Sequence, residues 1–288
     1  MTLPEFNLLE KEAAASMLMG CCGSSNWVKN MMLSFPYKNE QHLVEMAVTS
    51  WYDNCKETDW LEAFTHHPEI GDVKMLQEKF ASTRHLAGNE QLSVNAASME
   101  TLTALSEANK AYKKSFGFIF IVCATGKSAE EMLQLLKDRL KNATTEELHI
   151  AMGEQFKITL LRLKKILENA DWKSIQNGHL TTHVLDTSMG KPGKNISIKL
   201  QQSIQEKWVT IAQGITNEDG RIPDLIAPSR KLPVGVYKMI FDTESYFNSI
   251  NKEGFYPQVD IQFYIKDGSH YHVPLLINPF GYSTYRGS

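Results

Sequence analysis

The chain has 288 residues, 42% of them hydrophobic and 22% charged, with a formal net charge of −3. It is longer than one typical domain and can bury two ordinary cores, and its near-neutral balance excludes a large electrostatic footprint for nucleic acid or an anionic membrane. No apolar run approaches membrane-spanning length, and Glu5, Glu10 and Glu12 precede any apolar stretch, the wrong layout for a secretory signal, so a cytoplasmic protein is expected.

The first half reads as helical. Residues 43–52 and 99–112 carry helix-like patterns, and between them the segment WLEAFTHHPEIG (60–71) contains His67-Pro68. The proline biases His67 toward extended geometry and out of a helix. Ser128 and Glu131 have capping-box spacing ahead of Met132, Leu135, Leu136 and Leu140. Thr144 and Glu147 repeat that spacing before Leu148, Met152, Phe156, Thr159, Leu163 and Ile166, which recur at three- and four-residue intervals as one long amphipathic helix. Arg162 falls in line with Ile158 and Ile166, so a guanidinium shares a stripe with apolar residues. It is either a snorkelling rim residue or a fork for a carboxylate. All four cysteines (Cys21, Cys22, Cys55, Cys123) lie in this half without C-x-x-C spacing, which reads as free, reduced thiols.

After about Gly178 the period changes from helical to two. His183 stands inside LTTHVLD (Leu180–Asp186); Ile196, Ile198 and Leu200 alternate, as do Val259, Ile261, Phe263 and Ile265. Asp219-Gly220 and Asp267-Gly268 supply turns, and Arg221 follows the first. One helical segment, 243–251, interrupts an otherwise all-β half, which argues for a sandwich or barrel. The division falls at 1–172 and 178–288, with a short link. His270 and His272 share one strand face, so a zinc site is an open alternative, though this half contains no cysteine and few further histidines. Pro274, Pro279 and Gly281 suggest a strand that bends back on the body, placing the last residues, Tyr285-Arg286-Gly287-Ser288, at a fixed spot.

Residues 183–198 (HVLDTSMGKPGKNISI) and 271–288 (YHVPLLINPFGYSTYRGS) resemble the two signatures of the 5-hydroxyisourate hydrolases, enzymatic relatives of transthyretin. The resemblance implies a transthyretin-like β-sandwich with one short helix. It also implies a catalytic set of His183, Arg221, His272 and Ser288, and a purine pocket shaped by Tyr285 and Arg286. His270 falls on the turn side with a bland, solvated role. Since transthyretin sites lie between subunits, a homotetramer through this half is implied. Hormone carriers of that fold lack the YRGS ending.

In the helical half, His67-Pro68, Glu90-Gln91, Asn109, Tyr112, Phe116-Gly117-Phe118 and Arg162 stand in an order that resembles the decarboxylases of 2-oxo-4-hydroxy-4-carboxy-5-ureidoimidazoline (OHCU), the product of the hydrolase. The resemblance covers residues 6–167. It implies that His67 moves the reaction's proton, Glu90 fixes ureido and ring nitrogens, Arg162 holds a carboxylate, and Pro68 with the backbone at Phe118 and Phe120 receives the substrate. Relatives often carry serine where Ala87 stands, so one substrate hydrogen bond differs here. Neither metal nor organic cofactor is implied, because the ring itself delocalises charge. The chain is thus expected to be a bifunctional enzyme of urate catabolism acting on 5-hydroxyisourate and then OHCU, to give S-allantoin. The rival reading is a transthyretin-like ligand carrier fused to a helical interaction module, which would bind without turnover.

Overall fold

The computed structural model describes residues 1–67, 98–125, 127–172, 175 and 178–287. Short helices α1 (Leu3–Asn7), α2 (Lys11–Cys22), α3 (Ser25–Met32), α4 (Glu40–Thr49) and α5 (Glu57–Thr65) come first, with a π-helical turn at Ser50–Asn54. Helices α6 (Met99–Phe116), α7 (Ala129–Arg139) and α8 (Thr144–Ile166) follow, α6 and α8 being the longest of those described. Helix α7 starts at the Ser128/Glu131 capping box that its spacing predicts. Helix α8 departs from the same expectation: its N-cap is Ala143 with no side-chain cap. Glu147 instead turns inward, fully buried, to accept from Arg139 Nε at 2.7 Å and from the Tyr112 hydroxyl. A buried guanidinium requires a carboxylate more than a helix start requires a cap.

Helix α8 joins the two helical cores. Met152, Phe156, Leu160 and Leu163 pack with Trp27, Trp51 and Leu43, while Leu148 and Ala151 pack with Phe64, Tyr112, Phe118 and Leu136. Both fully buried indoles have partners: Trp27 Nε1 donates to Ala47 O at 3.1 Å and Trp51 Nε1 to Met152 O at 2.9 Å.

From Leu180 the chain forms a two-sheet sandwich with one short helix, α9 (Thr243–Ser249), between strands. One sheet has the order β2 (Lys191–Pro192), β1 (Leu180–Asp186), β7 (Tyr271–Asn278), β8 (Gly281–Thr284). The other has β4 (Lys207–Ile215), β3 (Ser197–Ile204), β5 (Gly235–Asp242), β6 (Gln258–Ile265). Strands β1 and β7 run parallel, with Thr181 beside His272 and His183 beside Pro274. Leu180, Thr182 and Val184 on β1 and Tyr271, Val273 and Leu275 on β7 are buried, so alternation turns Thr181, His183 and His272 outward. Strand β7 turns back through Pro279 into β8, as its proline and glycine spacing suggests.

Helix α8 also covers the second sheet. Thr210, Ile211, Ala212 and Gln213 of β4 are buried in succession, as a strand is when both of its faces are covered. The seam is polar as well as apolar. Lys157 meets Glu154 at 2.5 Å and Asp224 of the β half at 3.3 Å, Lys199 donates to Asn142 Oδ1 at 3.0 Å, and the Arg230 guanidinium stacks 3.8 Å over the Tyr52 ring. Burial opposes ionisation of Glu154, but Lys157 and then Arg139 hold its carboxyl below the usual range.

Lys157→Met leaves Glu154 without its cation, and removing one partner of a buried pair costs about 3–5 kcal/mol. We expect a loss near the low end of that range, because Asp224 retains 47% side-chain exposure. Asp224→Asn should cost under about 1 kcal/mol. Denaturant unfolding of the intact chain measures both, and equal stabilities for the two variants would contradict the assignment.

Candidate active sites

The helical site is assembled on the C-terminal end of α2. Gly23 ends that helix in the left-handed region at φ 79°, and its α-carbon lies so close to His66 that a Cβ would sit 2.8 Å from the His66 Cβ. The residues just past α5 are thereby pressed against the end of α2. His67 follows, its Nε2 2.6 Å from Gln155 Oε1 of α8. The same Gln155 donates from Nε2 to Cys22 O at 3.1 Å, and about two turns later Arg162 Nη1 donates to Cys21 O at 3.1 Å. Two side chains of α8 therefore cap the exposed carbonyls of α2, and His67 leans on one of them. Arg162 is neither purely snorkelling nor wholly committed: one terminal nitrogen holds the helix end.

Phe118 packs its ring 5.3 Å from Phe64, three residues before His67, which brings the backbone of residues 118–124 alongside. Phe120 behaves differently, since its ring lies against Tyr112 at 5.1 Å and beneath the Arg139 guanidinium at 4.7 Å. Arg139 Nη1 also donates to Ile121 O at 2.8 Å, and Cys123 N donates to Glu154 Oε2 at 2.8 Å. Buried charges thus pin this segment at both ends. Pro68, Ala87 and Glu90 lie outside the described residues. Burial pushes the thiols of Cys21 and Cys55 up to about 12, which leaves them protonated and unreactive at neutral pH.

The β site lies on the outward face of the β2-β1-β7-β8 sheet. Arg221 pairs with His183 through an isolated bridge, and its Nη2 is 3.2 Å from His183 Nδ1. On the neighbouring strand, His272 Nδ1 is 3.0 Å from Thr181 Oγ1, which also meets His270 Nε2 at 3.0 Å. His270 is therefore exposed yet tied through Thr181 to His272, not the detached turn residue that its position suggests. The tail returns over His272: Gly287 N donates to His272 O at 2.9 Å, and any Cβ at 287 would collide with the His272 ring. Tyr285 is exposed beside a groove of about 320 Å³ lined by His272, Tyr271 and Arg286. Arg286 stacks 5.1 Å over Tyr271. Ser288 lies outside the described residues.

Burial, followed by the Arg221 guanidinium, lowers the His183 imidazole below its ordinary value. His272 is lowered by burial first and then by the charges of Arg221, His183 and His270. Two neutral imidazoles beside an arginine are suited to deprotonating water next to a developing oxyanion.

A family profile for OHCU decarboxylase matches residues 7–164, and one for the HIUase/transthyretin family matches residues 180–287. The chain is 34% identical over 317 aligned residues to the uric acid degradation bifunctional protein TTL of Arabidopsis thaliana, covering 93% of this chain and 96% of that protein. The chain belongs to this bifunctional family. It is a fusion of an OHCU decarboxylase with a 5-hydroxyisourate hydrolase, and so an enzyme in both halves. Its hydrolase half is 43% identical over 116 residues to 5-hydroxyisourate hydrolase of Mus musculus, covering 39% of this chain and 98% of that one. A crystal structure of (S)-allantoin synthase aligns over all of both chains at 26% identity and a TM-score of 0.44.

Gln155, Thr181 and Gly287 complete these two sites and were not singled out by the sequence. Gln155 did leave a signal, as a buried amide three residues after Met152 and four before Thr159 on the apolar stripe of α8.

The pH behaviour of the hydrolase half follows from the lowered imidazoles. Their folded values lie below the unfolded one of about 6.5, so the unfolded chain binds more protons as acid is added. Stability from this source is present above about pH 6.5 and is lost as pH falls through the lowered values. Arg221→Gln removes one cause and leaves burial in place. His183 and His272 should then titrate closer to 6.5 in an NMR titration of the ring protons; unmoved titrations would show that Arg221 does not set their field.

Proposed function

We propose that the hydrolase half, residues 178–288, opens 5-hydroxyisourate to OHCU and that the helical half, residues 1–172, decarboxylates OHCU to S-allantoin. The observation that carries this reading is the convergence of His183, Arg221 and His272 on one sheet face beneath the tail, in a chain whose other half presents His67 and Arg162 at one helix end.

In the first reaction a neutral imidazole, His272 or His183, takes a proton from water as the water oxygen bonds to the cyclic amide carbon. The resulting oxyanion faces Arg221, and collapse breaks the carbon–nitrogen bond as the proton passes to the leaving nitrogen. Ser288 holds the water, while Tyr285 and Arg286 shape the pocket for the purine-derived ring. In the second reaction Arg162 and Pro68 position the substrate, Glu90 holds ureido and ring nitrogens, and the backbone at Phe118 and Phe120 receives its oxygens. The carbon–carbon bond breaks, carbon dioxide leaves, the electron pair enters the ring, and His67 delivers a proton to the carbanion.

Assembly as a homotetramer through the β half is part of this reading. Support comes from the sheet edges: β6 and β8 are end strands, and Tyr264, Phe280, Tyr282 and Tyr285 are exposed on or beside them. A reducing, cytoplasmic setting is supported by four buried free cysteines. Among the described residues no helix is long and apolar enough to cross a membrane.

His67→Ala should lose about two to four orders of magnitude in S-allantoin formation with hydrolysis intact. His272→Ala should do the reverse when OHCU is supplied directly. Absorbance decay of 5-hydroxyisourate and the optical activity of allantoin separate the two, and wild-type decarboxylation by His67→Ala would overturn the helical assignment. Sedimentation of the intact chain tests the assembly, where a monomer at micromolar concentration would overturn the tetramer.

A further inference from the structure

Gln155 is fully buried, and its amide has only one orientation that fits its neighbours. Its Nε2 lies 3.1 Å from Cys22 O, a carbonyl that can only accept, so the amide nitrogen must point there. The Thr159 hydroxyl agrees with that assignment. Thr159 donates its proton to Gln155 O at 3.1 Å, which leaves its oxygen to accept from Gln155 Nε2 at 3.4 Å. With both amide protons directed toward acceptors, Oε1 is the atom that faces His67, at 2.6 Å from Nε2. An amide oxygen cannot donate, so the proton of that short bond belongs to the imidazole.

We propose that Gln155 is the positioning residue that fixes His67 as its Nε2–H tautomer, making Nδ1 the ring atom that exchanges a proton with substrate. This rests on His67 being the proton carrier of the decarboxylase. The arrangement corresponds to the second partner that commonly fixes the tautomer of a reactive or metal-bound histidine, here supplied by a neutral amide rather than a carboxylate. A neutral partner has a distinct chemical consequence. A carboxylate at that spot would stabilise the imidazolium and make it a weaker proton donor, whereas an amide orients the ring without holding the proton back. Gln155 is itself fixed through the α2 terminus that Arg162 also caps, so proton carrier and cationic fork are registered to the same two carbonyls, Cys22 O and Cys21 O. Among the described residues, the ionisable side chains at this helix end include His66, Arg162 and the thiols of Cys21 and Cys22, which burial keeps protonated, while Glu62 of α5 is engaged by Ser25 Oγ at 2.5 Å and Glu154 of α8 by Lys157 Nζ at 2.5 Å.

Two variants and one spectrum test this in the intact chain. Gln155→Leu should lower decarboxylase kcat about ten- to a hundredfold with little change in KM, a loss typical of removing an orienting partner. Gln155→Glu keeps an acceptor toward His67 but adds charge that favours the imidazolium, the form that donates, so it should retain more activity than Gln155→Leu while moving the alkaline limb of the kcat profile to higher pH. Hydrolysis by the β half serves as the folding control for both. A long-range proton–nitrogen NMR spectrum of ring-labelled wild-type protein, assigned by the signal missing in His67→Ala, should show Nε2 protonated on the alkaline side of the His67 titration. An Nδ1-protonated ring there, or unchanged kcat in Gln155→Leu, would overturn the proposal. Full activity of His67→Ala would instead overturn the reading on which it rests, so the two failures are distinguishable.

Discussion

A buried stretch of helix must find a partner for each polar group it carries, and α8 has no exposed residue between Glu146 and Leu160. Glu147, Glu154, Gln155 and Thr159 are all buried along it. Each unmatched group would cost about 1–3 kcal/mol, more if charged. The solutions to that constraint organise most of the molecule. Glu147 takes Arg139 and Tyr112; Glu154 takes the amide of Cys123 and the ammonium of Lys157; Gln155 takes His67 and the end of α2. The bonds that satisfy Gln155 are also those that hold His67 against the end of α2.

The two halves place their candidate histidines by different routes. In the sandwich, strand alternation places His183 and His272 on one outward face, where partial burial and a nearby arginine keep them neutral. Precision there comes from register, because β1 and β7 pair residue by residue over seven positions. In the helical half no regular ladder is available, and position comes from capping: one histidine and one arginine are referred to carbonyls that a helix end leaves unpaired.

The sequence revealed much of this and missed the rest for identifiable reasons. The change from period 3.6 to period 2 separated helices from strands, and the capping box at Ser128 was read correctly because both of its partners are local. The box at Thr144 misled because Glu147 serves a distant arginine, and spacing carries no information about which acid has a better partner elsewhere. The motifs single out His183 and His272, but their shared face depends on parallel pairing between strands almost ninety residues apart. Thr181 was invisible for the same reason. His270 was read as solvated, correctly as to exposure, while its link to His272 passes through that unseen threonine.

The polar and apolar seam between α8 and β4 has a consequence for anyone separating the two catalysts. Expressed alone, the sandwich would present Gln213, Ile211 and Lys199 on a sheet face that the intact chain covers, and the helical part would present Lys157 and Glu154 without Asp224. Excision would thus call for resurfacing, with charged replacements at Ile211 and Gln213, before either catalyst behaved as an independent soluble unit.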